Sequence, residues 1–207
     1  MSLKDAIFYG ILDTGYVPDS QVEAKCRALV VGGAGIVQLR AKKESTAARR
    51  RLLLRILPIL EGADVPLIIN DDVELALEFP DCGLHIGQDD MDIREARRIL
   101  GAGRIIGLST HSIPQAEAAM ALAAGLIDYF AVGPVFPTQT KPDYVPVGLR
   151  LVTHVASRAP ALPWFAIGGI NRANVAQVKA AGARRIVAVS DVLLDPDTAG
   201  AVGAFLR

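Results

Sequence analysis

The chain has 207 residues, 51% of them hydrophobic, with 22 Lys plus Arg set against 22 Asp plus Glu; one domain of this length buries about 70% of the surface its unfolded chain exposes, and no net field draws it to nucleic acid or an anionic membrane. Cys26 and Cys82 stand far apart with no C-x-x-C pair, so neither a disulfide framework nor a zinc site is expected and a reducing compartment is the default. Apolar runs fall short of the roughly 18 residues a membrane span needs, and no charged region followed by an apolar core opens the chain, so a cytoplasmic protein with no membrane partner is expected.

Short apolar runs alternate with longer helix-periodic stretches, without a Ser/Pro-rich linker. In chain order the pattern predicts strand Ala6–Leu12 then helix Ser20–Val31, Gly35–Leu39 then Ser45–Leu60, Leu67–Ile69 then Val73–Phe79, and Gly83–Ile86 then Ile93–Leu100. It continues with Ile105–Leu108 then Pro114–Ala124, Tyr129–Val132 then Leu149–Ser157, Trp164–Ile167 then Arg172–Ala181, and Ile186–Val189 then Pro196–Leu206. Eight strands each followed by a helix predict an α/β chain, a closed (β/α)8 TIM barrel forming one domain over residues 1–207; an open doubly wound sheet more often has five or six strands. Asp92-Ile93-Arg94-Glu95 and Ser112-Ile113-Pro114-Gln115 read as capping boxes, and Asp195-Pro196 as an N-cap with proline at the first helical position. The glycines of Gly33–Gly35 and Ala181–Ala183 read as helix C-caps.

In such a barrel the active site lies on the rim holding the C-terminal strand ends. Two runs end there in acids: Leu67-Ile68-Ile69 in Asn70-Asp71-Asp72, and Leu84–Gln88 in Asp89-Asp90. As neighbouring parallel strands they would gather oxygen ligands for a hard divalent cation, Mg²⁺, held with water and a substrate phosphate. Asp71-Asp72-Val73-Glu74 is also a capping box, which leaves Asp71 open between cap and ligand, whereas Asp92 caps the next helix and leaves Asp89 and Asp90 over. After the second strand, the pleat predicts that Gln38, Arg40 and Lys42 face the barrel mouth together, where Arg40 would offer a diphosphate a bidentate fork. The same residues also fit a solvated loop.

Ser112 caps a helix in this reading, so Ser109 is the hydroxyl left at the fifth strand's end, while His85 and His111 read as structural rather than acid–base groups. The connection from Gly133 to Gly148 is long and stiffened by prolines, and brings Thr138, Thr140 and Lys141 to the rim as a substrate cover or a surface excursion. Ile167-Gly168-Gly169-Ile170-Asn171 and Val189-Ser190 end the last two strands, where these barrels hold phosphate, although a tight turn also explains the glycines.

Taken in order, Gln38-Leu39-Arg40-Ala41-Lys42, Ile69-Asn70-Asp71-Asp72, His85–Asp90, Gly107-Leu108-Ser109, Gly133-Pro134 through Pro137–Lys141, Ile167–Ile170 and Val189-Ser190 carry a resemblance along nearly the whole chain. The chain resembles the thiamin phosphate synthase family, also called thiamin phosphate pyrophosphorylase. The resemblance implies a Mg²⁺-dependent transferase that joins hydroxymethylpyrimidine diphosphate to a thiazole phosphate through a pyrimidine-methylene cation, releasing diphosphate. It also implies that Gln38, Arg40, Lys42, Asn70, Ser109 and Lys141 contact the pyrimidine diphosphate, with Arg40, Lys42, Ser109 and Lys141 serving catalysis. Asp71 and Asp90 would hold the metal, and Thr138, Thr140, Gly169, Val189 and Ser190 the thiazole phosphate.

Two departures stand out. Asp191 follows Ser190 where the family more often has a small residue, and it would repel phosphate unless strand alternation turns it away. The first strand, Phe8 to Asp13, matches loosely and carries none of the implied contacts. The rival readings are a thiazole tautomerase-like isomerase, which needs no diphosphate site, and a non-catalytic phosphate-ligand binder. The partners implied are small-molecule substrates, and a homo-oligomer is left open.

Overall fold

Eight apolar runs pair side by side in chain order: β1 (Phe8–Asp13), β2 (Ile36–Arg40), β3 (Leu67–Asn70), β4 (Gly83–Ile86), β5 (Ile106–Thr110), β6 (Tyr129–Val132), β7 (Trp164–Ala166) and β8 (Ile186–Ala188). Each is parallel to the next, and β8 pairs back onto β1 through Tyr9 with Val187, so the sheet closes with no edge left to protect. The computed structural model describes residues 3–122, 124–140 and 144–207. The helices are α1 (Val22–Val31), α2 (Thr46–Glu61), α3 (Val73–Glu78), α4 (Ile93–Leu100), α5 (Ile113–Met120), α6 (Gly148–Arg158), α7 (Val175–Ala180), α8 (Ser190–Leu193) and α9 (Thr198–Leu206).

The pleat divides the core in two. Residues of one parity, Tyr9, Ile11, Ile36, Ile68, Tyr129, Phe165 and Val187, fill the barrel interior, while Phe8, Leu12, Val37 and Leu39 meet the helices outside. On α2 the stripe Leu53, Ile56 and Leu60 is fully buried, each side chain contributing about 2 kcal/mol relative to exposure. Inside, Tyr9, Tyr129 and Phe165 meet edge to face, with ring centroids 5.7, 5.3 and 5.6 Å apart.

Local chemistry explains where the helices begin. Asp92 Oδ1 accepts from the amides of Arg94 and Glu95, but Glu95 turns to Arg98 and leaves the expected box half made. Ser112 Oγ accepts from Gln115 N, and Gln115 returns to the amide of His111, one residue earlier than a capping box requires. Gly33 (φ +100°) and Gly182 (φ +103°) end α1 and α7 in the same way, with Ala34 N reaching back to Leu29 O and Ala183 N to Val178 O.

Three expectations need correction. The cap of the last helix is Asp197, which accepts from Gly200 N, whereas Asp195 Oδ1 instead holds the amide of Asp197. The helix expected from Arg172 starts at Val175, because Asn171 Oδ1 takes the amides of Ala173 and Asn174 and holds that segment as an Asx turn. Strand β8 stops at Ala188, and Ser190 opens a short helix rather than ending a strand.

Gly107 pairs with Tyr129 across β5 and β6, and a Cβ there would stand 2.1 Å from the phenol ring. Gly107→Ala is therefore expected to cost about 1–3 kcal/mol by overpacking, read as a thermal-unfolding midpoint several degrees lower; an unchanged midpoint would show that the ring shifts freely.

Candidate active site

All eight strand ends border one cavity at the C-terminal rim, enclosing about 880 Å³ with its open mouth counted. Gln38, Arg40, Asn70, Asp71, Ser109, Thr138, Thr140, Gly169, Val189 and Ser190 line it, around an interior of Tyr9, Ile11, Ala131 and Val187. The pleat of β2 turns Gln38 and Arg40 inward as expected. It does not carry Lys42, because β2 ends at Arg40: Lys42 lies in a neighbouring groove beside α2 and α3 and reaches Asp71 Oδ2 at 2.9 Å. Lys141, expected here as a further cation, lies outside the described residues.

Arg40 is fixed from two sides. Its Nη1 donates to Asp13 Oδ2 at 2.6 Å and its Nη2 to the Thr140 carbonyl at 3.0 Å, and the two charged side chains are only 15% and 3% exposed. Thr140 Oγ1 bonds Tyr16 OH at 3.1 Å, so the loop after β6 is tied across the barrel mouth to the end of β1. The first strand thus carries site contacts, contrary to expectation. Asp13 ends an apolar run in a carboxylate just as β3 does, and that signal could have found it.

The acids of β3 and β4 meet. Asp71 and Asp90 stand within hydrogen-bond reach of each other. Burial acts to raise Asp71, but the Lys42 ammonium together with Asp90 and His85 outweighs it and holds the carboxyl below its usual range; Asn70 Nδ2 adds a bond at 2.7 Å. Asp90 is raised by desolvation and by the charge of Asp71, against the pull of the Gly87 amide, which it accepts at 2.6 Å. The cap of α3 is Asp72, which accepts from Leu75 N and pairs with Arg49, so Asp71 is released from that role. Its backbone takes a left-handed φ of +61°, and its amide donates to His85 O at 2.8 Å. Asp89 lies outward, with Tyr144 OH 3.5 Å away.

Beneath the rim runs a buried polar series that the sequence did not reveal. Gln38 Nε2 donates to Tyr9 OH at 2.6 Å, Tyr9 OH meets Tyr129 OH at 2.8 Å, Tyr129 OH meets His85 Nδ1 at 3.0 Å, and His85 Nε2 meets Ser109 Oγ at 2.9 Å. Burial pushes both phenols well above their ordinary pKa, so each keeps its proton. His111, the other histidine at this rim, bonds the Gly133 carbonyl through Nδ1 and packs against Tyr144 with the ring planes tilted by 51°.

At the far wall, Gly168 (φ +101°) and Gly169 (φ +63°) make room for the loop after β6: a Cβ on them would lie 2.4 Å from Pro134 and from the Pro137 carbonyl. Asp191 is turned away from the cavity by the first turn of α8, not by strand alternation, and Arg172 Nε binds its Oδ2 at 3.0 Å.

The sequence model of the family described as thiamine monophosphate synthase matches residues 8–192. A thiamine-phosphate synthase of Halalkalibacterium halodurans is 38% identical, over 98% of this chain and 95% of its own. One from Acidothermus cellulolyticus is 40% identical, over 99% and 95%. The solved thiamine phosphate pyrophosphorylase from Pyrococcus furiosus superposes with a TM-score of 0.86 at 28% identity, covering 99% of this chain and 96% of that one.

Removing Asp13 leaves the Arg40 charge largely buried and without its carboxylate. Asp13→Ala is expected to lower stability by about 3 kcal/mol, measured by urea unfolding, and an unchanged midpoint would mean that the pair adds nothing to the fold.

Proposed function

The chain belongs to the thiamine monophosphate synthase family, and we propose that the rim cavity is where it performs that family's reaction. The enzyme is a transferase of thiamin biosynthesis: it condenses hydroxymethylpyrimidine diphosphate with a thiazole phosphate to give thiamin phosphate and diphosphate. The observation that carries the assignment of the site is the meeting of Asp71 and Asp90 beside the cations Arg40 and Lys42.

The carboxylates of Asp71 and Asp90 are hard oxygen donors suited to Mg²⁺. Among the described residues no three His, Cys, Asp or Glu side chains stand together as a metal cage, so water and substrate oxygens would complete the shell. When bound, the metal would offset charge on the departing diphosphate. Arg40 and Lys42 neutralise the same charge from the protein side, and Lys141 joins them by family resemblance. Lys42 now balances Asp71, and a diphosphate arriving between them gives it a second anion to bridge.

The C–O bond to diphosphate breaks first in this scheme, and the thiazole nitrogen captures the pyrimidine-methylene cation. No strong protein base is called for. The chain's task is to hold two heterocycles in line, against Tyr9, Ile11, Ala131 and Val187. Thr138, Thr140, Gly169, Val189 and Ser190 also line the cavity, and we assign them to the thiazole phosphate. Gln38, Asn70 and Ser109 are assigned to the pyrimidine diphosphate. We read residues 1–207 as one barrel domain working in the cytoplasm; among the described residues no helix is long and apolar enough to cross a membrane.

Incubation with both substrates and Mg²⁺ should yield thiamin phosphate, and absence of product with every divalent metal would sink the reading. Asp90→Asn should leave the circular dichroism unchanged while raising the Mg²⁺ concentration for half-maximal rate by about tenfold or more. Full activity of that variant at low Mg²⁺ would remove Asp90 from the metal site.

A further inference from the structure

The buried series beneath the rim has a direction. Among the described residues the Tyr9 hydroxyl has two side-chain partners, Gln38 and Tyr129. Gln38 Nε2 can only donate, so the single Tyr9 proton is left for Tyr129. Tyr129 then receives from Tyr9 and must give its own proton to His85 Nδ1. An imidazole that accepts at Nδ1 carries its proton on Nε2, and that N–H points at Ser109 Oγ, 2.9 Å away. Ser109 is therefore an acceptor from His85 and keeps its own hydroxyl proton.

We propose that Gln38, Tyr9, Tyr129 and His85 form a one-way hydrogen-bond relay that sets the His85 tautomer and so aims the Ser109 hydroxyl proton into the cavity, toward an acceptor atom of the pyrimidine diphosphate. This rests on the assignment of the cavity to that substrate. Tyr9, Tyr129 and His85 act through Ser109 and are positioning residues. The reverse order would need Tyr9 to receive twice, from Gln38 and Tyr129, and to send its proton elsewhere; at 1% exposure it is shut in by its neighbours. The rings reinforce the geometry: His85 stacks on Tyr129 at 5.5 Å with 29° between planes, and Tyr129 packs edge-on against Tyr9. Gln88 Nε2 holds the Ser109 carbonyl at 2.6 Å and steadies its backbone.

The first test needs no substrate. Imidazole nitrogen NMR of the full chain, with His85 assigned through its own backbone resonances, should show Nε2 protonated and Nδ1 bare; a proton on Nδ1 overturns the relay. The second is kinetic. Tyr129→Phe, folded by circular dichroism, should lower kcat/KM for the pyrimidine diphosphate by about tenfold while the KM for the thiazole phosphate stays within about twofold. Wild-type kcat/KM in that folded variant overturns the proposal. The third is a rescue: His85→Gln keeps an N–H near the Nε2 position and should retain more activity than His85→Asn, whose amide sits near Nδ1, and equal impairment of the two counts against the relay. If the wild-type chain makes no thiamin phosphate, the assigned function fails while the tautomer result stands by itself.

Discussion

An eight-stranded barrel must fill its own interior, and the way this one is filled determines the cavity above. The inside of such a barrel is just wide enough for side chains. Here three aromatic rings take the space, and the bare backbone of Gly107 lets the Tyr129 ring lie against β5. Two of the three rings are phenols. A hydroxyl shut away from water must be hydrogen-bonded or it costs the fold a few kcal/mol. Gln38 and His85 meet that demand, and Ser109 follows as the partner of His85. The apolar filling of the barrel and the polar floor of its cavity are thus one arrangement.

The rim works by a different balance. Arg40 with Asp13, Lys42 with Asp71 and Arg49 with Asp72 each set a cation of the β2 side against an acid. Their burial differs, and so does what each contributes. The Asp13 and Arg40 pair is enclosed and orients a guanidinium that has little freedom to leave. Lys42 is 49% exposed, so its ion pair is screened and its long stem can swing to another anion at small cost. One cation is fixed and its neighbour adjustable, a combination that suits the diphosphate site proposed for this rim.

What could be read in advance divides along physical lines. The strands were legible because buried parallel strands are continuous apolar runs, and the gathering of acids at one rim followed from β3 and β4 being neighbours in chain order, while the choice of Asp71 and Asp90 among them came from the family resemblance. Asp92 and Ser112 were legible as caps because their signals are local. The choice between Asp71 and Asp72 was not, since it depends on one backbone angle. Tyr9 and Tyr129 fall within predicted strands, and only the three-dimensional closure brings hydroxyls 120 residues apart into contact. Lys42 was misplaced because the pleat was extended two residues beyond the strand. The helix at Ser190 to Leu193 is too short for any periodic signal.

The left-handed backbone at Asp71 ties these themes together. A non-glycine residue there carries conformational strain of order 1 kcal/mol that glycine would relieve. Seen purely as folding, position 71 is a vacancy for glycine; in the proposed chemistry, it is where a carboxylate faces Lys42 and Asp90. The two demands pull in opposite directions at a single residue. Selection of this barrel for heat resistance alone would drift toward erasing that carboxylate, so durability and the chemistry proposed for this rim are rivals at this point of the chain.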